Sequence, residues 1–217
     1  MNNINLKGCG TALVTPFRKG EVDYDAFAAL VDSQVAAGID FLVPLGTTGE
    51  TPCLTDEEKI KVLTLAKDRS CGKPVVAGVG TNSLEHTIAN IRLLEPHGVD
   101  VFLVVVPYYN KPPQEGMYRY FKAVAESTSK PVLLYNVPGR TGANLEAATT
   151  LRLAQIDNII GIKEASSNRG QILDIIAGRP EGFLVLSGND DETFPLMKAG
   201  ADGVISVASN VAPVPVT

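Results

Sequence analysis

The sequence predicts an α/β protein, a (β/α)8 TIM barrel, and three observations predict it. Eight apolar, strand-like runs begin near Cys9, Asp40, Pro74, Asp100, Pro131, Asn158, Phe183 and Asp202, at intervals of 19 to 34 residues. Each interval holds one strand, one helix and short loops. The segments between the runs carry helical periodicity, so strands and helices alternate as a parallel sheet requires. The punctuation also repeats: Gly38-Ile39-Asp40, Gly98-Val99-Asp100 and Gly200-Ala201-Asp202 each close a helical segment and open a strand, the glycine suiting the left-handed residue after a helix.

The first run, around Gly8-Cys9-Gly10, lacks the third glycine of a dinucleotide fingerprint. That disfavours a Rossmann fold, although pattern alone leaves an open doubly wound sheet as the alternative. Phe27, Leu30, Val31 and Val35 mark the first helix, and Thr55 with Glu58 forms a candidate capping box ahead of Ile60 and Leu63. Lys73-Pro74 and Lys130-Pro131 open two strands, where a missing N–H is tolerated. Met117, Tyr120, Phe121 and Val124 recur at helical spacing, and Ile172, Ile175 and Ile176 mark a later helix. The sixth run, Asn158 to Glu164, is an apolar strand ending in a lysine. Its two-residue period places Ile159, Gly161 and Lys163 on one face, with Ile160 and Ile162 on the other. After the eighth strand come Pro213 and Pro215, which argue against a continuing helix. The expectation is a single barrel domain over residues 1–217, without its eighth helix and incomplete at its C-terminus.

With 217 residues, 45% apolar and 20% charged, the chain can bury a substantial core. A formal net charge of −5 with no basic run excludes a nucleic-acid or polyanion binder. No apolar run approaches a membrane span, and residues 1–7 lack the apolar core of a signal peptide. Cys9, Cys53 and Cys71 are odd in number and without metal-ligand spacing, and His86 and His97 are expected on a solvated helix face. These features point to a cytoplasmic protein with reduced cysteines and no structural metal.

Chemistry in a parallel barrel gathers at the carboxyl ends of its strands. Lys163 lies at such an end, where burial depresses an ammonium's pKa and leaves the neutral amine that attacks carbonyls. A lysine snorkelling to water beside Glu164 is the competing reading. The second strand ends in Gly46-Thr47-Thr48-Gly49-Glu50, whose hydroxyls and backbone N–H groups can form an anion-holding nest. Tyr108, Tyr109 and Tyr135 stand at the ends of strands four and five, where hydroxyls can move protons. Arg140 offers a carboxylate fork in a glycine-flanked loop. Together these residues form a Schiff-base constellation for an α-keto acid. The acidic run after strand seven, Gly188-Asn189-Asp190-Asp191, disfavours a sugar phosphate.

Val14-Thr15-Pro16, Gly46-Thr47-Thr48-Gly49-Glu50, Pro107-Tyr108-Tyr109-Asn110, Tyr135-Asn136-Val137-Pro138, Gly161-Ile162-Lys163-Glu164-Ala165 and Gly203-Val204-Ile205-Ser206 together closely resemble the dihydrodipicolinate synthase family of pyruvate-dependent class I aldolases and lyases. The resemblance implies that Lys163 condenses with pyruvate and that Tyr135, Thr47 and Tyr109 relay protons, Tyr109 crossing from a neighbouring subunit. It further implies that Thr48 binds the pyruvate carboxylate, that Gly188 and Ile205 line the pocket, and that Arg140 meets aspartate semialdehyde. No cofactor is implied, and the partner expected is another copy of the chain, in a dimer of dimers. Feedback-regulated members bind lysine through equivalents of Asn82 and Tyr108 and a glutamate, and His86 stands at that glutamate's place. Two alternatives remain. One is a sister lyase acting on N-acetylneuraminate or a keto-deoxy sugar acid, although sialic-acid lyases typically lack the arginine. The other is a shortened, non-catalytic barrel.

Overall fold

A computed structural model describes residues 4–217. Its eight barrel strands are β1 (Gly8–Ala12), β2 (Phe41–Val43), β3 (Val76–Gly78), β4 (Val101–Val105), β5 (Val132–Asn136), β6 (Ile159–Glu164), β7 (Leu184–Ser187) and β8 (Gly203–Ser206). All pair in parallel in the order 2-1-8-7-6-5-4-3. The ring closes between β2 and β3 through a bridge pairing Leu42 with Val75, and through hydrogen bonds from Leu42 N–H to Pro74 O (3.0 Å) and from Gly78 N–H to Pro44 O (3.1 Å). This is a closed barrel, and the open-sheet alternative falls.

Helices α1 (Tyr24–Ala36), α2 (Asp56–Asp68), α3 (Leu84–Leu94), α4 (Gln114–Glu126), α5 (Ala147–Leu153), α6 (Arg169–Gly178) and α7 (Thr193–Lys198) follow β1 to β7 in turn. Their apolar stripes face the strands: Phe27, Val31, Met117, Tyr120, Phe121, Val124, Ile172 and Ile175 are all buried. The Thr55–Glu58 capping box forms with both of its hydrogen bonds. β8 leads into a 3-10 turn, Ala208–Asn210, and a four-residue helical turn, Pro213–Val216. The prolines do not prevent that turn, because Pro213 and Pro215 lie in its first residues, where backbone N–H groups have no intrahelical partner. No helix among the described residues is long and apolar enough to cross a membrane. His86 is exposed on α3 as expected, whereas His97 is half-buried in a 3-10 turn after that helix.

The repeated Gly-X-Asp motif performs one repeated task. Gly38, Gly98 and Gly200 take positive φ of 92°, 85° and 105°, turning the chain from helix to strand. Each aspartate then clamps one residue of the adjacent strand region at both backbone groups. Asp40 donates its N–H to Cys9 O (2.9 Å), and its carboxylate accepts from Cys9 N–H (2.8 Å). Asp100 does the same to Val75 (3.0 and 2.8 Å), and Asp202 to Val185 (2.8 and 3.0 Å). These clamps secure the amino-terminal end of the barrel, opposite the site.

Two apolar layers result. One fills the space between strands and helices; the other, with Phe41, Leu103, Leu133 and Leu186, fills the barrel interior. β6 departs from simple alternation. Val132 pairs with Ile159, but Leu133 pairs with Gly161, so Ile160 is an extra, bulged residue. Ile159 therefore joins Ile162 in the outer layer, while Ile160 packs against the interior cluster. This corrects the expected facing of Ile159 and Ile160, since an inserted residue reverses the alternation before it. Gly161 and Lys163 keep their inward direction.

Candidate active site

Lys163 sits one residue before the end of β6, directly opposite Tyr135 on β5. Its residue exposure is 5%, and its Nζ lies 4.4 Å from the centre of the Tyr135 ring. No ion pair or hydrogen bond reaches that amine among the described residues. Burial brings its pKa down to about 8; Asp190 opposes the shift and Arg140 adds to it. The snorkelling alternative fails on the same geometry, because the two-residue period sends Glu164 to the opposite face of the strand. Burial pushes the Tyr135 hydroxyl upward, with Arg140 pulling the other way.

Tyr135 also lines a cavity of about 460 Å³ at the carboxyl end of the barrel, together with Thr47, Tyr108, Val137 and Arg140. Arg140 is exposed in the helical turn Pro138–Thr141. The Gly46–Glu50 segment is the start of a 3-10 helix, Thr47–Gly49. Gly49 N–H donates to Gly46 O (3.0 Å) and Glu50 N–H to Thr47 O (3.1 Å). This leaves the N–H groups of Thr47 and Thr48 without an intramolecular partner among the described residues, so the expected nest narrows to those two donors and their hydroxyls. The turn is entered through Leu45, buried at φ 60°, a conformation costly for a branched side chain. Positive φ recurs at Glu50, Tyr109, Lys111 and Ser167, all in loops at this same end.

The remaining candidates lie around this centre. Thr48 is half-buried behind Thr47 and lies outside the cavity wall. A Cβ on Gly188 would stand 3.1 Å from Lys163 Cε and 2.6 Å from Ala165 Cβ, so the glycine leaves the lysine its space. Gly161 does not have the substrate-clearing place its position suggests, since a Cβ there would meet Leu184 O at 2.5 Å. Its hydrogen clears strand β7. Ile205 is buried in the interior cluster. Tyr109 stands apart: it is 88% exposed, and its loop is tied to the Arg140 turn by a bond from Tyr109 N–H to Thr141 O (3.3 Å). Within one chain it does not enter the cavity. Sequence reasoning missed Thr51, Lys59, Thr81 and Asn90, which complete the cavity wall from four separate segments. It also missed Asp190, whose side chain accepts from the N–H groups of Val207 and Ala208 (3.1 and 3.0 Å) and whose charge acts on Lys163. No local motif marks any of them. No cluster of metal-ligating side chains occurs among the described residues.

A buried, partnerless amine over a tyrosine ring, at the mouth of a barrel, is one arrangement for attacking a carbonyl. Comparison with known proteins narrows it. A 4-hydroxy-tetrahydrodipicolinate synthase from Parabacteroides distasonis is 53% identical over 98% of this chain and 73% of its own length. The crystal structure of dihydrodipicolinate synthase from Aquifex aeolicus superposes with a TM-score of 0.94 at 44% identity, covering 97% of this chain and 73% of that one. The chloride-inhibited dihydrodipicolinate synthase from Acinetobacter baumannii, complexed with pyruvate, gives 0.95 at 40%, covering 98% and 74%. The family model for the dihydrodipicolinate synthetase family matches residues 5–217, which takes in all eight strands and every site residue discussed above, and on that match the chain belongs to this family.

Proposed function

We propose that the chain is a 4-hydroxy-tetrahydrodipicolinate synthase, a lyase that condenses pyruvate with L-aspartate 4-semialdehyde in the diaminopimelate route of lysine biosynthesis. The single observation that carries this reading is the Lys163 amine, dry, without an ion partner and held against Tyr135. The neutral amine attacks C2 of pyruvate, and the carbinolamine loses water to give an imine. A methyl proton then leaves C3, and the resulting enamine carbon bonds to the aldehyde carbon of the semialdehyde. The amino group of the semialdehyde attacks the imine carbon and releases Lys163, closing the ring. One water leaves in the net reaction, and the lysine is regenerated.

Each proton transfer needs a hydroxyl near C2 and C3, and Tyr135 with Thr47 occupies the shared cavity wall. The open N–H groups at Thr47 and Thr48 suit the pyruvate carboxylate, and Gly188 and Ile205 bound the space beside Lys163. Arg140, on the rim, suits the semialdehyde carboxylate. Its presence favours the synthase over a sugar-acid lyase. Tyr109, exposed in one chain, completes the relay from a neighbouring copy, which makes a homo-oligomer part of this reading. A cytoplasmic location accords with three free cysteines.

Borohydride added with pyruvate is the test. The expected product is a reduced pyruvyl group on the peptide containing Lys163 and none in Lys163→Ala. No adduct, or an adduct at another lysine, sinks the assignment. Turnover with aspartate semialdehyde and none with N-acetylmannosamine separates the synthase from its sister lyases.

A further inference from the structure

Glu164, the neighbour of Lys163 on β6, points out of the barrel into a space with 0% exposure, and no cation pairs with it among the described residues. Burial pushes its pKa up, while hydrogen bonds from Asn136, Ser166 and Gln171 pull it back. Every group around the carboxylate donates. Asn136 Nδ2 reaches both oxygens (3.1 and 3.2 Å), Gln171 Nε2 reaches Oε2 (3.1 Å), and Ser166 N–H reaches Oε1 (2.9 Å). Such a ring of donors fits an ionised carboxylate. A buried charge is weak as a source of stability, since apolar packing of the same volume usually does as well or better. Its better-attested use is to fix one register.

The donors come from segments that carry the site. Asn136 and Glu164 are register partners, one residue beyond the register pair Tyr135 and Lys163. Asn136 Oδ1 accepts from Leu145 N–H (2.9 Å), its Nδ2 donates to Asn144 Oδ1 (2.9 Å), and Asn144 Nδ2 donates to Gln171 Oε1 (2.8 Å). The Asn144–Leu145 segment is the exit of the loop that bears Arg140. β5 and β6 already slip once, at the Ile160 bulge. A second slip of one residue would turn Lys163 out of the barrel.

We infer that Glu164 is a positioning residue: its carboxylate, tied to Asn136 and Gln171 on the outer face, locks Lys163 against Tyr135 on the inner face and anchors the loop of Arg140. The inference rests on reading Lys163 as the nucleophile. The tie requires one carboxylate among amides, and either residue 164 or residue 171 can supply it, because glutamate and glutamine have the same length.

The test uses the full chain as Glu164→Gln and as the exchange Glu164→Gln with Gln171→Glu. Each is assayed for the rate and pH midpoint of pyruvate trapping on Lys163 by borohydride, alongside thermal unfolding. The charged groups facing that amine are Tyr135 from β5, Arg140 from the following turn and Asp190 beyond β7, and neither variant alters them. In the single variant an amide faces amide donors, so trapping slows about tenfold to a hundredfold, the scale of a small misplacement. Its midpoint moves upward, because the amine regains water. The exchange restores both. Folded Glu164→Gln that traps at the wild-type rate and midpoint overturns the inference. So does an exchange variant that is slow, or that does not regain the fold. Absence of an adduct on wild-type Lys163 instead sinks the reading on which the inference rests.

Discussion

Lys163 keeps its amine where water cannot stabilise its charge, and that single circumstance sets two pH dependences. Its pKa lies near 8 against an ordinary lysine value of 10.5. Only the neutral amine attacks pyruvate, so the rate of adduct formation should climb through about pH 8 and level off above it; a climb centred near 10.5 would show a solvated amine. Stability follows the same protons. Between these two values the unfolded chain holds a proton that the folded chain has released, so stability rises with pH across that window. At neutral pH the buried ammonium costs up to about 3 kcal/mol. Lys163→Met should therefore be more stable than the wild type by denaturant unfolding near pH 7, with the gap closing towards pH 10.5. A gap that does not change with pH would contradict this account. Tyr135 is a different case. Its hydroxyl has no hydrogen-bond partner among the described residues, so Tyr135→Phe should fold within about 1 kcal/mol of the wild type. Its turnover should fall about 10²- to 10⁴-fold.

Two glycines on neighbouring elements divide the work of β6 and β7, and substituting alanine separates them. At Gly188 the added carbon meets Ala165 and the movable end of Lys163, so the expected result is a folded protein with slow pyruvate trapping. At Gly161 it meets the backbone of β7, which cannot yield cheaply, and the expected result is a loss of about 1–3 kcal/mol in stability. The opposite pattern would reverse the roles given to these strands. The Gly-X-Asp clamps belong to this scale too: Asp40→Ala leaves the Cys9 N–H unpaired and should cost about 1–3 kcal/mol, read as a lower unfolding midpoint. Elements of this kind are legible in sequence because their signals are local. A glycine, an apolar residue and an aspartate announce a helix end and a strand start wherever they occur, and all eight strands begin within two residues of their expected positions. The Ile160 bulge is not legible, because alternation assumes that no residue is inserted, and only the partner strand reveals one. Lys163, Tyr135 and Arg140 could be found because each follows an apolar run. Asn136, Asn144 and Gln171 meet Glu164 from three separate elements, and no spacing within any one of them encodes that meeting.

At the scale of the whole molecule, Tyr109 raises the question that a single chain leaves open. A proton-relay tyrosine that is 88% exposed in water holds its hydroxyl away from the cavity and from Lys163. Its backbone, at φ 71°, is held in a conformation that non-glycine residues seldom keep without a purpose. Both facts fit a side chain presented to another copy, which supplies the low-dielectric surroundings that one chain lacks. If so, each working site combines Lys163 from one chain with Tyr109 from its partner. Two defective variants then complement each other. Lys163→Ala has no nucleophile but an intact Tyr109, whereas Tyr109→Phe has the nucleophile and lacks the hydroxyl. Co-assembled by mild dissociation and remixing, they should recover a fraction of wild-type turnover that neither shows alone, through sites that pair Lys163 of one with Tyr109 of the other. Sedimentation must show mixed oligomers in the same sample. Mixed oligomers without recovered turnover would place Tyr109 outside the partner's site, and turnover unaffected by Tyr109→Phe would remove it from the relay altogether.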